Sequence, residues 1–208
     1  MKSKRMHLTP AAMASTAKKP VTVRIVHASP ELTTVEMAVD YRGVDPPNRA
    51  YFADYCDVQK GRVGYSLVFG KLEPGGATLR TKIEVTFPRE MFLRLLWGTS
   101  RGIHAILEKL PLQKLEPINV SPKTDKVQTF RANNLFMGLW GEDSVLDFYY
   151  MSPKSLGELS LQPKVEAELE PVIRVALDTA LLYEFLEKCR PFVEECSAAS
   201  PLASVQVK

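Results

Sequence analysis

Val21, Val23, Ile25 and His27 fall at alternate positions in a β-branched run, a pattern that predicts a strand. Ser29-Pro30 then signals a turn. Val35, Met37 and Val39 alternate with Glu36, Ala38 and Asp40 and predict a second strand, followed by a loop from Gly43 to Asn48 that carries Pro46-Pro47. Tyr51 to Val58 reads as a third strand, closed by the polar turn Gln59-Lys60-Gly61-Arg62. Val63, Tyr65, Leu67 and Phe69 give the clearest half-buried alternation, ending at Gly70. The chain turns at Glu73-Pro74-Gly75-Gly76, and Leu79 to Phe87 is a further strand with Ile83, Val85 and Phe87 on one face.

At Pro88 the period changes. Proline suits the first position of a helix, where its missing N–H has no partner to lose. Phe92, Leu95, Leu96, Ile103, Ile106, Leu107 and Leu110 follow at helical spacing, up to Pro111. Gly98 and Gly102 lie one turn apart in this helix, where each glycine costs about 1 kcal/mol against alanine. Two explanations stand. Either the helix breaks at Gly98-Thr99-Ser100, or the glycine face lets another backbone approach, that of a helix at 178–190 or of a second copy. Beyond it, Leu115–Ser121 is a short candidate strand. Gln128–Trp140 and Val145–Met151 are strands joined by Gly141-Glu142-Asp143-Ser144, residues 152–162 are a long connection, and Val172–Leu177 is a strand. Asp178 is placed to cap a helix with the stripe Leu181, Leu182, Phe185, Leu186, Cys189, Phe192 and Val193, which Pro191 is expected to kink or end.

The halves echo each other. Ile83-x-Val85-x-Phe87 followed by Phe92, Leu95 and Leu96 matches, 90 residues later and without a gap, Ile173-x-Val175-x-Leu177 followed by Leu182, Phe185 and Leu186. Upstream, Arg49-Ala50 and the strand, turn and strand that follow match Arg131-Ala132 and its successors. The fold class expected is α+β: a tandem duplication of two antiparallel sheets, each with a C-terminal helix across it, able to close into one pseudo-symmetric domain. The segments are a basic tail at 1–19, a first unit at 20–112 that includes the strands of 21–40, a second unit at 113–196, and a terminal tail at 197–208.

Charge matters mainly for the tail. Of the 208 residues, 27 are Lys or Arg and 24 Asp or Glu, for a net +3. Lys2, Lys4, Arg5, Lys18 and Lys19 precede any acid, and without those five the remainder stands at −2. Such a tail reads as a solvated leader, or as a phosphate-binding arm working through counterion release. The stretch Leu8–Ala14 is short and broken by Pro10, so no secretory signal is read there. The three cysteines, Cys56, Cys189 and Cys196, form no disulfide framework, which points to a reducing, cytoplasmic setting.

Tyr51-Phe52-Ala53-Asp54, then Tyr65-Ser66-Leu67-Val68-Phe69-Gly70, a turn, a strand and a helix resemble a family of short bacterial proteins of unknown function. In that family an aromatic-small-Asn/Asp motif precedes a strand like Asp-Phe-x-Leu-x-Phe-Gly. Here Gly64-Tyr65 keeps the aromatic and loses the acid. The resemblance spans residues 49–110, with an echo in Ala132-Asn133-Asn134 and the strand through Phe148, and it implies no activity. The layout is also similar to that of SecB-type export chaperones, a likeness of fold only.

No catalytic constellation assembles along the chain. His7, His27 and His104 have no evident acid–base partner in sequence, and His104 reads as a helix-surface residue. Cys189 and Cys196 lack the companions of a zinc site. The glycines of 70–76 lie between strands, so they form a hairpin turn and not a phosphate loop. Neither metal nor cofactor is expected, nor enzymatic activity. What remains is apolar surface. The strand at 145–151 is apolar on both alternating faces, whereas a sheet with one solvated face alternates cleanly. Its second face is expected to be covered by the other unit, a second chain or a client segment. The candidate interaction residues are Tyr51, Tyr65, Gly98, Gly102, Phe136, Trp140, Phe148 and Tyr150. The function expected is a bacterial, non-enzymatic protein-binding or assembly module that acts through sheet faces or edges and self-associates. A SecB-like holdase and a nucleic-acid binder using the basic tail are the alternatives.

Overall fold

The alternating runs become strands, but two runs that look continuous in sequence are each divided between two sheets. The structure is a computed structural model, and it describes residues 21–28, 35–39, 44–62, 64–76, 78–88, 103–116, 118–121, 124–159 and 164–198. In place of one strand over Tyr51–Val58 there are β3 (Ala50–Phe52) and β4 (Tyr55–Lys60). In place of one strand over Gln128–Trp140 there are β7 (Val127–Arg131) and β8 (Asn134–Trp140). Upstream lie β1 (Val21–Ala28) and β2 (Val35–Val39). Between the divided strands run β5 (Gly64–Leu72) and β6 (Leu79–Pro88). The chain continues through β9 (Asp143–Met151), α1 (Pro153–Leu159), β10 (Lys164–Ala167), β11 (Leu169–Asp178) and α2 (Thr179–Ala198). The fold is α+β with sheet predominating.

The first sheet has the order β4-β5-β6-β7 and the second β3-β11-β9-β8. Each half of the chain therefore lends its leading strand to the other half's sheet. β3 lies parallel to β11, and β7 lies parallel to β6, so neither sheet is purely antiparallel as expected. The breaks at Ala53-Asp54 and Ala132-Asn133 make this exchange possible, and they are built alike. Ala53 N–H donates to Ala176 O (2.9 Å), and Ala132 N–H to Thr86 O (3.2 Å). Asp54 N–H donates to Gly70 O (3.1 Å) while Asp54 Oδ1 accepts from Leu72 N–H (2.6 Å). Asn133 N–H donates to Tyr149 O (3.0 Å) while Asn133 Oδ1 accepts from Met151 N–H (2.7 Å). A short acceptor side chain takes the place of one ladder carbonyl, so the strand can leave its neighbour without leaving an N–H unpaired.

Positions that correspond in this way are 79 residues apart in the leading strand and hairpin: Cys56 faces Phe69, and Leu135 faces Phe148. They are 90 apart in the last strand: Phe69 faces Ile83, and Phe148 faces Ile173. The difference between the two spacings is taken up by α1 and β10, which lie between β9 and β11.

One core lies between the two sheets and α2. The Phe148 ring packs against Phe69 (centroids 5.9 Å) and Phe87 (5.9 Å), and Phe69 packs against Phe185 of α2 (5.6 Å). Asp178 Oδ1 accepts from Ala180 N–H (2.7 Å) and starts α2 as the sequence implies. Pro191 does not end it. The helix runs to Ala198, and beyond the proline Phe192 packs edge-on against Tyr65 (5.7 Å, 76°), a contact that holds the last turns to β5.

The strands of 21–40 do not join the first sheet. β1 pairs with β2 and with the inserted β10, giving a third sheet of order β10-β1-β2. Val23, Ala167 and Leu169 are buried with Tyr149 and Met151 of β9, and Leu156 of α1 and Phe136 pack at the margin. The second face of β9 is thus covered by the chain's own β1, β10 and α1, in place of a second chain or client. Two smaller expectations are also corrected, and a third is described only in part. Leu115–Ser121 forms no strand and contributes only an isolated bridge, Ser121 to Thr78. The connection at 152–162 contains α1, and β10 follows it. Of the helix expected after Pro88, residues 103–107 are helical, and residues 89–102, with Gly98 and Gly102, lie outside the described residues.

Phe148, on the second sheet, packs against aromatic rings of two strands of the first sheet and is fully buried. Phe148→Ala is expected to lower stability by about 3–5 kcal/mol. Urea unfolding followed separately by tryptophan fluorescence and by far-UV circular dichroism should move as one transition, because the two sheets share that core. Two separated transitions would mean that the sheets unfold independently.

Candidate functional site

The residues singled out in sequence do not form one surface. Tyr65 and Phe148 are core residues, 2% and 0% exposed, which removes both from any interaction face. Tyr51 is half-buried on β3, with its hydroxyl on Thr81, 3.0 Å from the carbonyl oxygen and 2.7 Å from Oγ1. Phe136 is half-buried against the third sheet's cluster. Tyr150 lines a groove beside α1, on the same side of the chain as Ser152 and Ser155. Trp140, at the end of β8, is 61% exposed. The basic residues Lys2, Lys4, Arg5, Lys18 and Lys19 lie outside the described residues.

The groove beside Tyr150 measures about 390 Å³ and carries Lys154, Glu158, Glu166, Glu168 and Glu170. Its three glutamates from 166 to 170 are exposed, so they are solvated charges and hold no fixed geometry. Among the described residues no cluster of His, Cys, Asp and Glu is disposed to hold a metal ion.

His104 is more than a helix-surface residue. Its Nδ1 lies 3.2 Å from Glu108 Oε1 and its Nε2 lies 2.5 Å from Glu187 Oε1, while the ring stacks at 5.4 Å on Tyr183. Glu187 Oε1 also accepts from Arg190 Nη2 (2.5 Å), which brings that nitrogen within 2.9 Å of His104 Nε2 as both donors converge on one carboxylate oxygen. Both ring nitrogens are engaged: Nδ1 pairs with Glu108 in its own segment, and Nε2 pins that segment to Glu187 of α2. A proton shuttle would need one of them free.

Asp147 is the polar residue that sequence reading passed over. It is 2% exposed, in the strand apolar on both faces, and Arg174 across the ladder grips it with Nε and Nη2, each 2.6 Å from a carboxylate oxygen. The pairing holds the Arg174 guanidinium in its charged form above the ordinary range. An aspartate flanked by Leu146 and Phe148 was the available signal, because a carboxylate in such a run requires a cationic partner.

Cys56 and Cys189 are buried and free. Cys56 Sγ points at Leu181 O (3.7 Å). Burial pushes its thiol from 9.0 up to about 12, and pushes the Cys189 thiol well above 9.0. Burial, with the nearby Asp147 carboxylate, likewise takes the Tyr149 hydroxyl from 10.0 to about 12. A thiol held this way is a core residue and a poor nucleophile.

Among the described residues, β2, β3, β4, β7, β8 and β10 lie at the ends of their sheets. β4 is capped in part: Lys188 Nζ of α2 donates to Cys56 O (2.9 Å). β2, β7 and β10 each carry charge within the strand: Glu36, Arg131, and Lys164 with Glu166. β3 has three residues. β8, Asn-Leu-Phe-Met-Gly-Leu-Trp, has seven, with no charge and no proline, and it pairs on one side with β9. Leu135 and Met137 face the core. On the other face the Trp140 ring lies over Gly138, where an added Cβ would come within 2.8 Å of it. Gly141, at φ 65°, then opens the two-residue turn into β9. Natural edges are normally blunted by charge, proline or cover, and β8 carries neither charge nor proline.

No protein-family model matches this chain, and no match was found among curated proteins or solved structures. No helix among the described residues is long and apolar enough to cross a membrane.

The raised thiol and phenol values have a pH consequence. The folded state prefers the neutral form of Cys56, Cys189 and Tyr149, so their contribution is complete below about pH 9 and is lost as the pH rises toward 12. Stability from urea titrations should fall across that window. At about pH 8, iodoacetamide should leave Cys56 and Cys189 unmodified until the protein is unfolded. Rapid alkylation of either in the native state would contradict their burial.

Proposed function

We propose that this protein is a non-enzymatic protein-binding or assembly module whose contact surface includes the exposed Trp140 at the end of β8. The observation that carries the reading is Trp140 itself, a large aromatic residue 61% exposed at the end of an uncharged strand. Tryptophan is enriched where proteins bind one another, because it offers a large contact area with few rotamers to fix. The inner apolar faces are filled by the chain's own residues, while Trp140 stays at the surface.

We also read the two halves as a tandem duplication. Its support is the shared register, 79 residues apart through the hairpins and 90 apart in the final strands.

The test is light scattering of the full chain over a range of concentrations, together with affinity capture from lysate. Association with itself or with a captured protein is expected, weakened about tenfold or more in Trp140→Lys, the scale of an interface tryptophan. The melting temperature of the variant should stay close to that of the wild type, because the side chain is exposed. A strict monomer that captures no partner, or association indifferent to Trp140→Lys, would overturn the reading.

A further inference from the structure

We infer that the outer face of the second sheet, between Phe52 and Trp140, is a docking surface for an amphipathic α-helix of a partner protein, one that carries an apolar stripe and basic residues at one end. The inference rests on the protein-binding reading and names the kind of partner.

The pairing registers set Phe52, Ala176, Val145 and Gly138 in one row across β3, β11, β9 and β8, so these residues share a face of the sheet. Their neighbours in sequence, Tyr51, Val175, Leu146 and Met137, turn the other way into the main core. The apolar cluster under the third sheet takes in Tyr149, Met151 and Phe136 and does not include this row. Trp140 lies over its β8 end, where a Cβ added at Gly138 would come within 2.8 Å of the ring and 3.3 Å of Val145 Cγ2. Phe52, 68% exposed, and Trp140 are the two most exposed large apolar residues among those described. Two open rings thus flank a floor of small side chains.

The first sheet shows the same row as water shapes it. Its corresponding residues, Gln59, Ser66, Thr86 and Arg131, are paired in the same order and are all polar. Only the second sheet carries apolar residues there, and exposed apolar residues gathered in this way mark a contact site. Three strand spacings of about 4.8 Å put the two walls roughly 14 Å apart. That is room for one helix, about 10–12 Å across, lying along the strands. The two rings leave roughly 200–300 Å² open, against about 800 Å² per partner in a standard interface between globular proteins. The patch therefore suits one helix face, anchored at i, i+3, i+4 and i+7, and is small for a second copy. Charge sets the helix's direction. At the turn end, Asp143 stands beside Trp140 and directly opposite Asp178, and both carboxylates are exposed. Like charges so placed repel, and among the described residues no ion pair relieves them. The first sheet has uncharged Gly64 opposite Pro88 at this place. Lysine or arginine at one end of the helix would neutralise the pair.

The test is fluorescence anisotropy of labelled 18-residue peptides titrated with the full chain. One peptide is an amphipathic helix with a leucine stripe and two arginines at one end; the second has the leucines scrambled, and the third has glutamates in place of the arginines. Saturable binding of the first is expected, about tenfold or more weaker for the scrambled peptide and several-fold weaker for the acidic one. Phe52→Lys and Trp140→Lys should each weaken binding about tenfold or more without unfolding the chain, since both side chains are exposed, and Gln59→Lys on the first sheet should leave it unchanged. Asp143→Lys should reduce the preference for arginine over glutamate. No saturable binding overturns the inference; if light scattering still finds association that Trp140→Lys abolishes, the protein-binding reading survives with a second copy as the partner. Binding that is indifferent to the scramble, or that depends on Trp140 and not on Phe52, overturns the inference as well.

Discussion

The architecture depends on two parallel strand pairings, β3 beside β11 and β7 beside β6. Each is short, yet each completes a sheet whose other strands come from the opposite half of the chain. Parallel neighbours cannot be joined by a tight turn, so such pairings are always brought together from distant sequence. Here the distance exceeds a hundred residues in one case, Tyr51 to Val175. The exchange forces the halves into a common core and places Phe148 between the aromatic rings of the first sheet. A molecule of two separate sheet-plus-helix units would need two cores, each built from half as many residues and correspondingly marginal.

The inserted α1 and β10 give the second sheet something the first does not have. β10 draws in β1, and together they cover the outer face of β9. That cover explains why Val145 to Met151 is apolar on both alternating faces, and why a carboxylate is tolerated among them only at Asp147, where Arg174 neutralises it. Removing one partner of such a pair strands the other, so the two residues act as a unit. The polar chemistry on this face is therefore structural, like that of His104 at the contact with α2.

Most of the elements were legible in the sequence because period-two alternation is a local property. Val63–Gly70 and Leu79–Phe87 carried the signal clearly, and the capping aspartate before α2 acted as its chemistry implies. The divisions at Ala53-Asp54 and Ala132-Asn133 were not legible, because nothing in the alternation changes there. What changes is which neighbour the backbone bonds, and that is settled by residues far away in sequence. The same holds for the third sheet: β1 reads as a strand from its own residues, but its neighbour β10 is four residues long and has no periodicity to detect. Of the interaction residues, Tyr65 and Phe148 were misplaced because an aromatic residue in a strand has the same local signature whether it faces solvent or core. Trp140 differs from them only through its position beside a turn at a sheet edge.

The strand exchange also bears on how the chain is made. On a ribosome the first half emerges with β4, β5 and β6 able to pair at once, while β6 waits for β7 and β3 waits for β11, the strand that closes only at Asp178. During that interval β6 presents an unpaired edge and the future core lacks its second wall, a state open to mispairing with other nascent chains. The many contacts between distant residues also place the protein among slow folders for its size. Slower synthesis or added chaperone would be expected to raise the yield of folded chain, by shielding that edge until β7 and β11 arrive.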